Sequence, residues 1–128
     1  MQILFYTSDE DGSARLSRFI EVIVSRKNIT YIHTPEDLLL RLHHPLSDQA
    51  VIVVYVSAQE ELANIAEMQD RLSDFRSTII LPDRDKASMA LAYTLRPRFI
   101  GYADGDYLDI ATVVSRLVGR GNDAVCQS

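Results

Sequence analysis

An acidic segment follows the first apolar run of the chain and is the strongest candidate for chemistry. Asp9, Glu10 and Asp11 are consecutive carboxylates, and carboxylate oxygens are ligands that Mg²⁺ prefers. A metal cage here would need a further aspartate from a neighbouring strand, but Tyr55 stands near the end of the longest apolar run. We therefore predict no metal site and interpret the segment as a solvated turn that caps a helix.

Ser57 is the candidate nucleophile, because it directly follows that longest apolar run. The histidines His33, His43 and His44 flank the second predicted strand and helix, away from Ser57. A Ser-His-Asp unit requires mutual hydrogen bonds that this arrangement gives no reason to expect. We interpret Ser57 and Glu60 as a capping box instead.

A loop rich in hydroxyl groups, from Thr7 to Ser13, precedes the first predicted helix and contains Gly12. Such a loop can bind phosphate at a helix N-terminus, but its three carboxylates would repel one. Neither GxGxxG nor GxxxxGK[ST] occurs in the chain, which has five glycines. We predict no nucleotide or flavin cofactor. We interpret Thr34 as the N-cap of the second predicted helix, Asp83 and Asp85 as caps of the fourth, and the stretch from Asp104 to Asp106 as a turn and cap before the fifth.

Length and composition indicate one globular domain. The chain has 128 residues, of which 47% are apolar and 24% charged. Its 13 Lys and Arg against 18 Asp and Glu give a net charge of −5, with no basic stripe for nucleic acid. No apolar run approaches the roughly 18 residues of a membrane span. A single cysteine, Cys126, excludes a disulfide framework. We expect a cytoplasmic protein without nucleic-acid or membrane partners.

Five apolar runs alternate with five stretches of helical periodicity. The predicted strands are Ile3–Tyr6, Ile29–Ile32, Val51–Val56, Thr78–Leu81 and Phe99–Tyr102, and the helices cover about 13–26, 35–44, 59–75, 86–95 and 107–119. Runs that are apolar on both faces are typical of parallel strands covered by helices. We predict an α/β three-layer sandwich over 1–121, with a disordered tail over 122–128. Its functional crevice should lie outside the carboxyl ends of the strands.

The order, length and spacing of these segments, across nearly the whole chain, resemble the receiver domain of two-component response regulators. The resemblance implies a flavodoxin-like (βα)5 fold with a five-stranded parallel sheet of order 2-1-3-4-5. In that family an acidic pair follows strand one, the phosphoryl-accepting aspartate ends strand three, a Ser or Thr ends strand four and a Lys-Pro pair follows strand five. At the corresponding positions this chain has Thr7, Ser8, Tyr55, Pro82 and Tyr102.

These replacements remove the parts that phosphoryl transfer needs. A phenol such as Tyr55 titrates near about 10, so it is neither an ionised acceptor nor a good Mg²⁺ ligand. No lysine balances the transferred charge. The resemblance therefore implies a pseudo-receiver: no enzyme, without metal or cofactor, that signals through protein contact. A small-ligand sensor stays open as the alternative, and its hydroxyl groups would be those of Thr7, Ser8, Tyr55, Ser57 and Tyr102.

The fourth predicted helix carries small or apolar side chains almost all round, which suggests that part of its surface meets a partner. In receivers the fourth helix, fifth strand and fifth helix form the dimerisation and signalling face. The resemblance thus implies a protein partner or a homodimer at Met89, Tyr93, Arg96, Phe99 and Tyr107. Phe99 also matches an aromatic that senses phosphorylation in that family. Plain core packing stays open for Phe99, and a deeper helix without a partner stays open for this helix.

Overall fold

The computed structural model describes residues 2–43, 50–72, 75–103, 105 and 107–121. Strands and helices alternate along the chain. The strands are β1 (Gln2–Thr7), β2 (Ile29–Ile32), β3 (Ala50–Tyr55), β4 (Arg76–Leu81) and β5 (Phe99–Tyr102). The helices are α1 (Glu10–Ile23), α2 (Pro35–His43), α3 (Gln59–Ala66), α4 (Gln69–Leu72), α5 (Lys86–Thr94) and α6 (Tyr107–Gly121), with a 3₁₀ turn at Arg26–Asn28.

The five strands form one parallel sheet in the order β2-β1-β3-β4-β5, so the predicted flavodoxin-like topology is confirmed. The register sets Thr7 of β1 beside Tyr55 of β3, and Leu81 of β4 beside Tyr102 of β5. Because all strands run in the same direction, their carboxyl ends meet along one edge. We call it the strand-end edge, and it includes the loop residues that directly follow the strands.

Two apolar layers cover the sheet, one on each face, because successive strand residues point to opposite sides. All six residues of β3 are buried. Leu4, Ile52 and Val54 face α2, α3, α4 and α5. Ile3, Val51 and Val53 face α1 and α6. The helices on the two faces therefore present separate outer surfaces.

Two helix bounds differ from the predictions. The first helix begins at Glu10 and not near Ser13, because Asp9 is its N-cap and accepts a 2.9 Å hydrogen bond from the Gly12 N–H. The third predicted helix is divided into α3 and α4. Between them the Met68 N–H donates to the Ile65 carbonyl, a tightened turn that leaves both Met68 and Leu72 in the core.

The predicted caps have mixed outcomes. Thr34 caps α2 by accepting a 3.1 Å bond from the Asp37 N–H. The capping box was wrong, since Ala58 is the N-cap of α3 and makes no side-chain capping bond. Asp85 occupies the N-cap position of α5 but also makes no such bond. Asp83 instead accepts from the Asp85 N–H at 2.9 Å, which fixes the loop rather than the helix.

Several predictions fall outside the described residues: the tail over 122–128 with Cys126, and the residues His44, Asp104 and Asp106. No helix in the described ranges is both long and apolar enough to cross a lipid bilayer.

Candidate functional site

The receiver-equivalent residues do come together at the strand-end edge. Thr7 and Tyr55 end β1 and β3 as register partners, and Ser8 follows Thr7. Pro82 follows β4, and Tyr102 ends β5 beside Leu81. Their hydrogen bonds show what occupies this edge.

Tyr55 fills the edge between β3 and α1. Its side chain leaves only 6% of the residue exposed, and its hydroxyl donates a 3.2 Å bond to the Gly12 carbonyl in the first turn of α1. Burial raises the pKa of Tyr55 to about 12, and the Tyr107 hydroxyl and the negative charge of Asp9 act in the same direction. The residue is therefore a neutral hydrogen-bond donor at physiological pH.

Thr7 fastens the loop that follows β1. It is 2% exposed, and its hydroxyl accepts a 3.1 Å bond from the Asp9 N–H. The same hydroxyl donates to the Asp9 carbonyl at 3.0 Å and lies 2.9 Å from the Ser13 hydroxyl. Thr7, at a position where the resemblance to receivers implies a carboxylate, is thus a neutral side chain whose hydroxyl makes its hydrogen bonds within the turn.

Glu61 on α3 is hydrogen-bonded both to β1 and to the loop that follows β3. Its Oε1 accepts from the Ser57 N–H at 3.0 Å, and its Oε2 accepts from the Tyr6 hydroxyl at 2.8 Å. The Ser57 hydroxyl lies 3.1 Å from that of Ser8. Burial, the bond to Glu61 and the charges of Glu61 and Glu36 all raise the pKa of Tyr6. This chain of contacts, which we call the Glu61 clamp, ties the ends of β1 and β3 to α3.

The remaining candidate groups do not assemble a reactive centre. His33 lies with Nδ1 3.1 Å from the Thr7 carbonyl and Nε2 3.6 Å from Glu10, so its ring nitrogens face other groups than Ser57. Asp9 is engaged as a helix cap, and Glu10 and Asp11 are exposed. Over the part of the chain that the structure describes, no three His, Cys, Asp or Glu residues are grouped as metal ligands.

Four of the five hydroxyl groups proposed for ligand sensing, those of Thr7, Ser8, Tyr55 and Ser57, bond to one another or to neighbouring residues. Ser8 contacts Ser57, and the Tyr55 hydroxyl is directed at Gly12. The ring of Tyr102 is covered by the Arg84 guanidinium, 4.2 Å from the ring centre. These donors and acceptors do not converge on a common space, so the small-ligand alternative is not favoured.

The residues predicted for the interaction face divide between surface and core. Tyr93 is 62% exposed and Arg96 is also exposed. Met89 packs partly against the core under α5, whereas Phe99 and Tyr107 pack against the core under α1 and α6. The Tyr107 hydroxyl donates to the Ala103 carbonyl at 2.7 Å. On α5 the buried stripe is Ser88 and Ala92, which leaves Ala87, Ala90 and Tyr93 outside.

Sequence reasoning missed Gly12, Tyr6 and Glu61 as contributors to the site. A tyrosine among the apolar residues of β1 was one available signal, because a buried phenol usually finds a hydrogen-bond partner. A glutamate four residues after Ser57 was another. Neither signal identifies its partner, since Tyr6 and Glu61 are 55 positions apart.

Comparison with solved structures identifies the architecture. The signal receiver domain of a signal transduction histidine kinase from Syntrophus aciditrophicus superposes with a TM-score of 0.70 at 13% identity, covering 99% of this chain and 95% of that one. A response regulator receiver domain from Rhodospirillum rubrum gives 0.63 at 14% identity, over 99% and 96% of the two chains. The chain has a receiver fold.

The same receiver fold recurs in a putative pilus assembly protein (cpaE) from Burkholderia thailandensis, with a TM-score of 0.66 at 14% identity over 93% of this chain and 98% of that one. No family model and no curated protein matches the sequence. At these identities the likeness establishes the architecture, and the chemistry has to be argued from the residues of this chain.

Alkaline unfolding tests the environment of Tyr55. An unfolded tyrosine titrates near about 10, whereas Tyr55 titrates at about 12 when folded. Its contribution is complete below pH 10 and is lost as the pH rises towards 12, because the unfolded chain releases the proton first. Tyr55→Phe should therefore flatten the fall in unfolding free energy over this range, measured by urea denaturation. The exposed Tyr93→Phe variant is the matched control, and equal slopes in both would contradict the assignment.

A double-mutant cycle tests the Glu61 clamp. We expect Glu61→Ala to lower the free energy of unfolding by about 1–3 kcal/mol, because it leaves the Tyr6 hydroxyl and the Ser57 N–H without their acceptor. In a Tyr6→Phe background the same substitution should cost about 1 kcal/mol less. Glu60→Ala, at an exposed neighbouring position, is the control and should change stability little. Strictly additive effects of the Tyr6 and Glu61 substitutions would show that the pair is not coupled.

Proposed function

We propose that this chain is a receiver-like domain that accepts no phosphoryl group and acts in signal transduction through protein-protein contact. The observation that carries the proposal is the position of Tyr55. It occupies the strand end where receivers carry the acceptor, and its hydroxyl donates a hydrogen bond to the Gly12 carbonyl. A group that is neutral and hydrogen-bonded inward is not available as an anionic nucleophile.

The surrounding residues support the same conclusion. Thr7 and Ser8 replace the acidic pair that would help to hold Mg²⁺, and both hydroxyls bond within the protein. Phosphoryl transfer depends on positioned cations that neutralise charge on the transferred group. Pro82 and Tyr102 supply no cation, and the Arg84 guanidinium lies over the Tyr102 ring. The domain therefore has no catalytic role in this proposal.

We place the partner contact, a homodimer included, on α5, β5 and the facing side of α6. Tyr93 and Arg96 are the exposed members of this face. Arg96 has φ of 51°, a left-handed conformation that glycine or asparagine normally takes after a helix. A non-glycine residue held in this way costs stability and is often found at functional positions. The inner part of this face is formed by side chains that pack against the core, those of Met89, Phe99 and Tyr107.

Titration with Mg²⁺ and beryllium fluoride tests the loss of phosphoryl chemistry. We expect no saturable change in the amide resonances of Thr7, Ser8 or Tyr55, because these three residues stand where a receiver has its acidic pair and its acceptor aspartate. A receiver domain with the complete set of acidic residues is the positive control under the same conditions. A saturable response centred on the strand ends, or an aspartyl phosphate recovered after incubation with acetyl phosphate, would refute the proposal.

Replacing Arg96 tests whether its left-handed backbone conformation, on the proposed contact face, lowers the stability of the protein. Arg96→Gly should raise the free energy of unfolding by about 0.5–1 kcal/mol, because it removes the left-handed strain. Arg98→Gly is the matched control: among the described residues only Arg96 combines a side chain with positive φ, so glycine at 98 should destabilise the protein. Urea denaturation of the two variants measures both changes. A loss of stability in Arg96→Gly would show that the side chain, and not strain, dominates at this position.

A further inference from the structure

The outer side of α1 presents two positive charges followed by an exposed apolar residue. Val22 is 84% exposed, and Arg15 and Arg18 precede it by about two turns and one turn on the exposed side of the helix. Glu21 is turned away, towards the Tyr31 hydroxyl and Arg26. Asp11 lies at the N-terminal end. We call Arg15, Arg18 and Val22 the α1 strip.

A cleft of opposite character lies between α2 and α3. It has a volume of about 300 Å³, and its lining combines Pro35, Leu39 and Met68 with Glu36, Asn64 and Glu67. We call it the acidic cleft. Leu40, beside it on α2, is 60% exposed. No lysine or arginine of the described residues lines the cleft.

The nearest arginine on α2 does not neutralise this cleft. Arg41 lies 3.9 Å from Asp37, one turn away along α2, and neither residue is in the cleft lining. The cleft volume is at the low end of ligand pockets, so it suits a few protruding side chains better than a whole cofactor.

We propose that the α1 strip of one copy binds in the acidic cleft of a second copy. Val22 would cover the apolar floor at Leu39 and Met68, and Arg15 and Arg18 would approach Glu36 and Glu67. The two surfaces match in charge and in apolar content, and each is exposed in the single chain. A second copy is thus the occupant for which both halves of the contact are present in the structure.

The fold dictates the geometry of this association. Helix α1 and the α2–α3 pair lie on opposite faces of the sheet, so one contact leaves a free strip at one end and a free cleft at the other. Such head-to-tail contacts extend into rings or open chains and do not stop at a closed two-fold dimer. The contact uses neither α5 nor β5, so it is independent of the face assigned under the proposed function.

Charge reversal on the full chain tests the proposal. The cleft variant is Glu36→Arg with Glu67→Arg, the strip variant is Arg15→Glu with Arg18→Glu, and the third protein combines all four substitutions. Sedimentation velocity over a concentration series should show open-ended association of the unaltered chain. The association should weaken as salt increases, because the screening length of charge interactions becomes shorter. Each two-site variant should associate at least about tenfold more weakly, since like charges then face each other. The four-site protein should recover association.

The design separates specific pairing from net charge and from misfolding. The cleft and strip variants shift the net charge in opposite directions, so a general repulsion effect cannot weaken both. Recovery in the four-site protein shows that the substituted chains fold. Asp109→Arg, at an exposed position on α6, is the control that should leave this association unchanged. A chain that stays monomeric at every concentration, a closed dimer sensitive to Tyr93→Glu alone, or a four-site protein that remains monomeric would each overturn the proposal.

Discussion

The strand-end edge of this molecule is closed by hydrogen bonds from its own side chains, and that closure governs what the domain can do. Parallel strands bring the ends of β1 and β3 side by side, and the residues there must satisfy their polar groups locally or through a ligand. Here Tyr55 bonds to Gly12, and Thr7 bonds to Asp9 and Ser13. The hydroxyl groups at the ends of β1 and β3 are therefore hydrogen-bonded within the protein.

The Glu61 clamp adds a charged acceptor to this arrangement, beside the Asp9 carboxylate that caps α1. A carboxylate that accepts from the Tyr6 hydroxyl and the Ser57 N–H makes stronger bonds than neutral pairs do. It spans β1, the loop after β3 and α3, so movement of that loop would break the bond from the Ser57 N–H to Glu61 and the contact between Ser57 and Ser8. The edge at β1 and β3 is therefore held in a single arrangement by contacts internal to the chain.

Sequence patterns were sufficient for the strands and for a parallel sheet, because apolar periodicity and short connections are local properties that leave few topologies. The strand order came from the resemblance to receivers. Sequence patterns were also sufficient for Asp9 and Thr34, whose caps involve residues three positions away. The capping box at Ser57 failed for the opposite reason: Glu61 and not Glu60 reaches back, because its second oxygen is bound by Tyr6 from a distant strand. Tertiary contacts of this kind leave no periodic signal.

The two sides of the sheet differ in how completely their polar groups are paired. Around β1 and β3 the hydroxyls are bonded, whereas Ser77, Thr78 and Ser88, on β4 and α5, are buried hydroxyls without a hydrogen-bond partner among the described groups. Unpaired buried hydroxyls cost free energy, which leaves β4 and α5 the less tightly determined part of the fold. In the proposed function, differential binding of partners takes the place of phosphoryl transfer in shifting the population of states. The unpaired hydroxyls lie on β4 and α5, and α5 also carries the exposed Tyr93. A partner that binds at Tyr93 and Arg96 would therefore have to disrupt the fewest internal hydrogen bonds to shift this part of the fold.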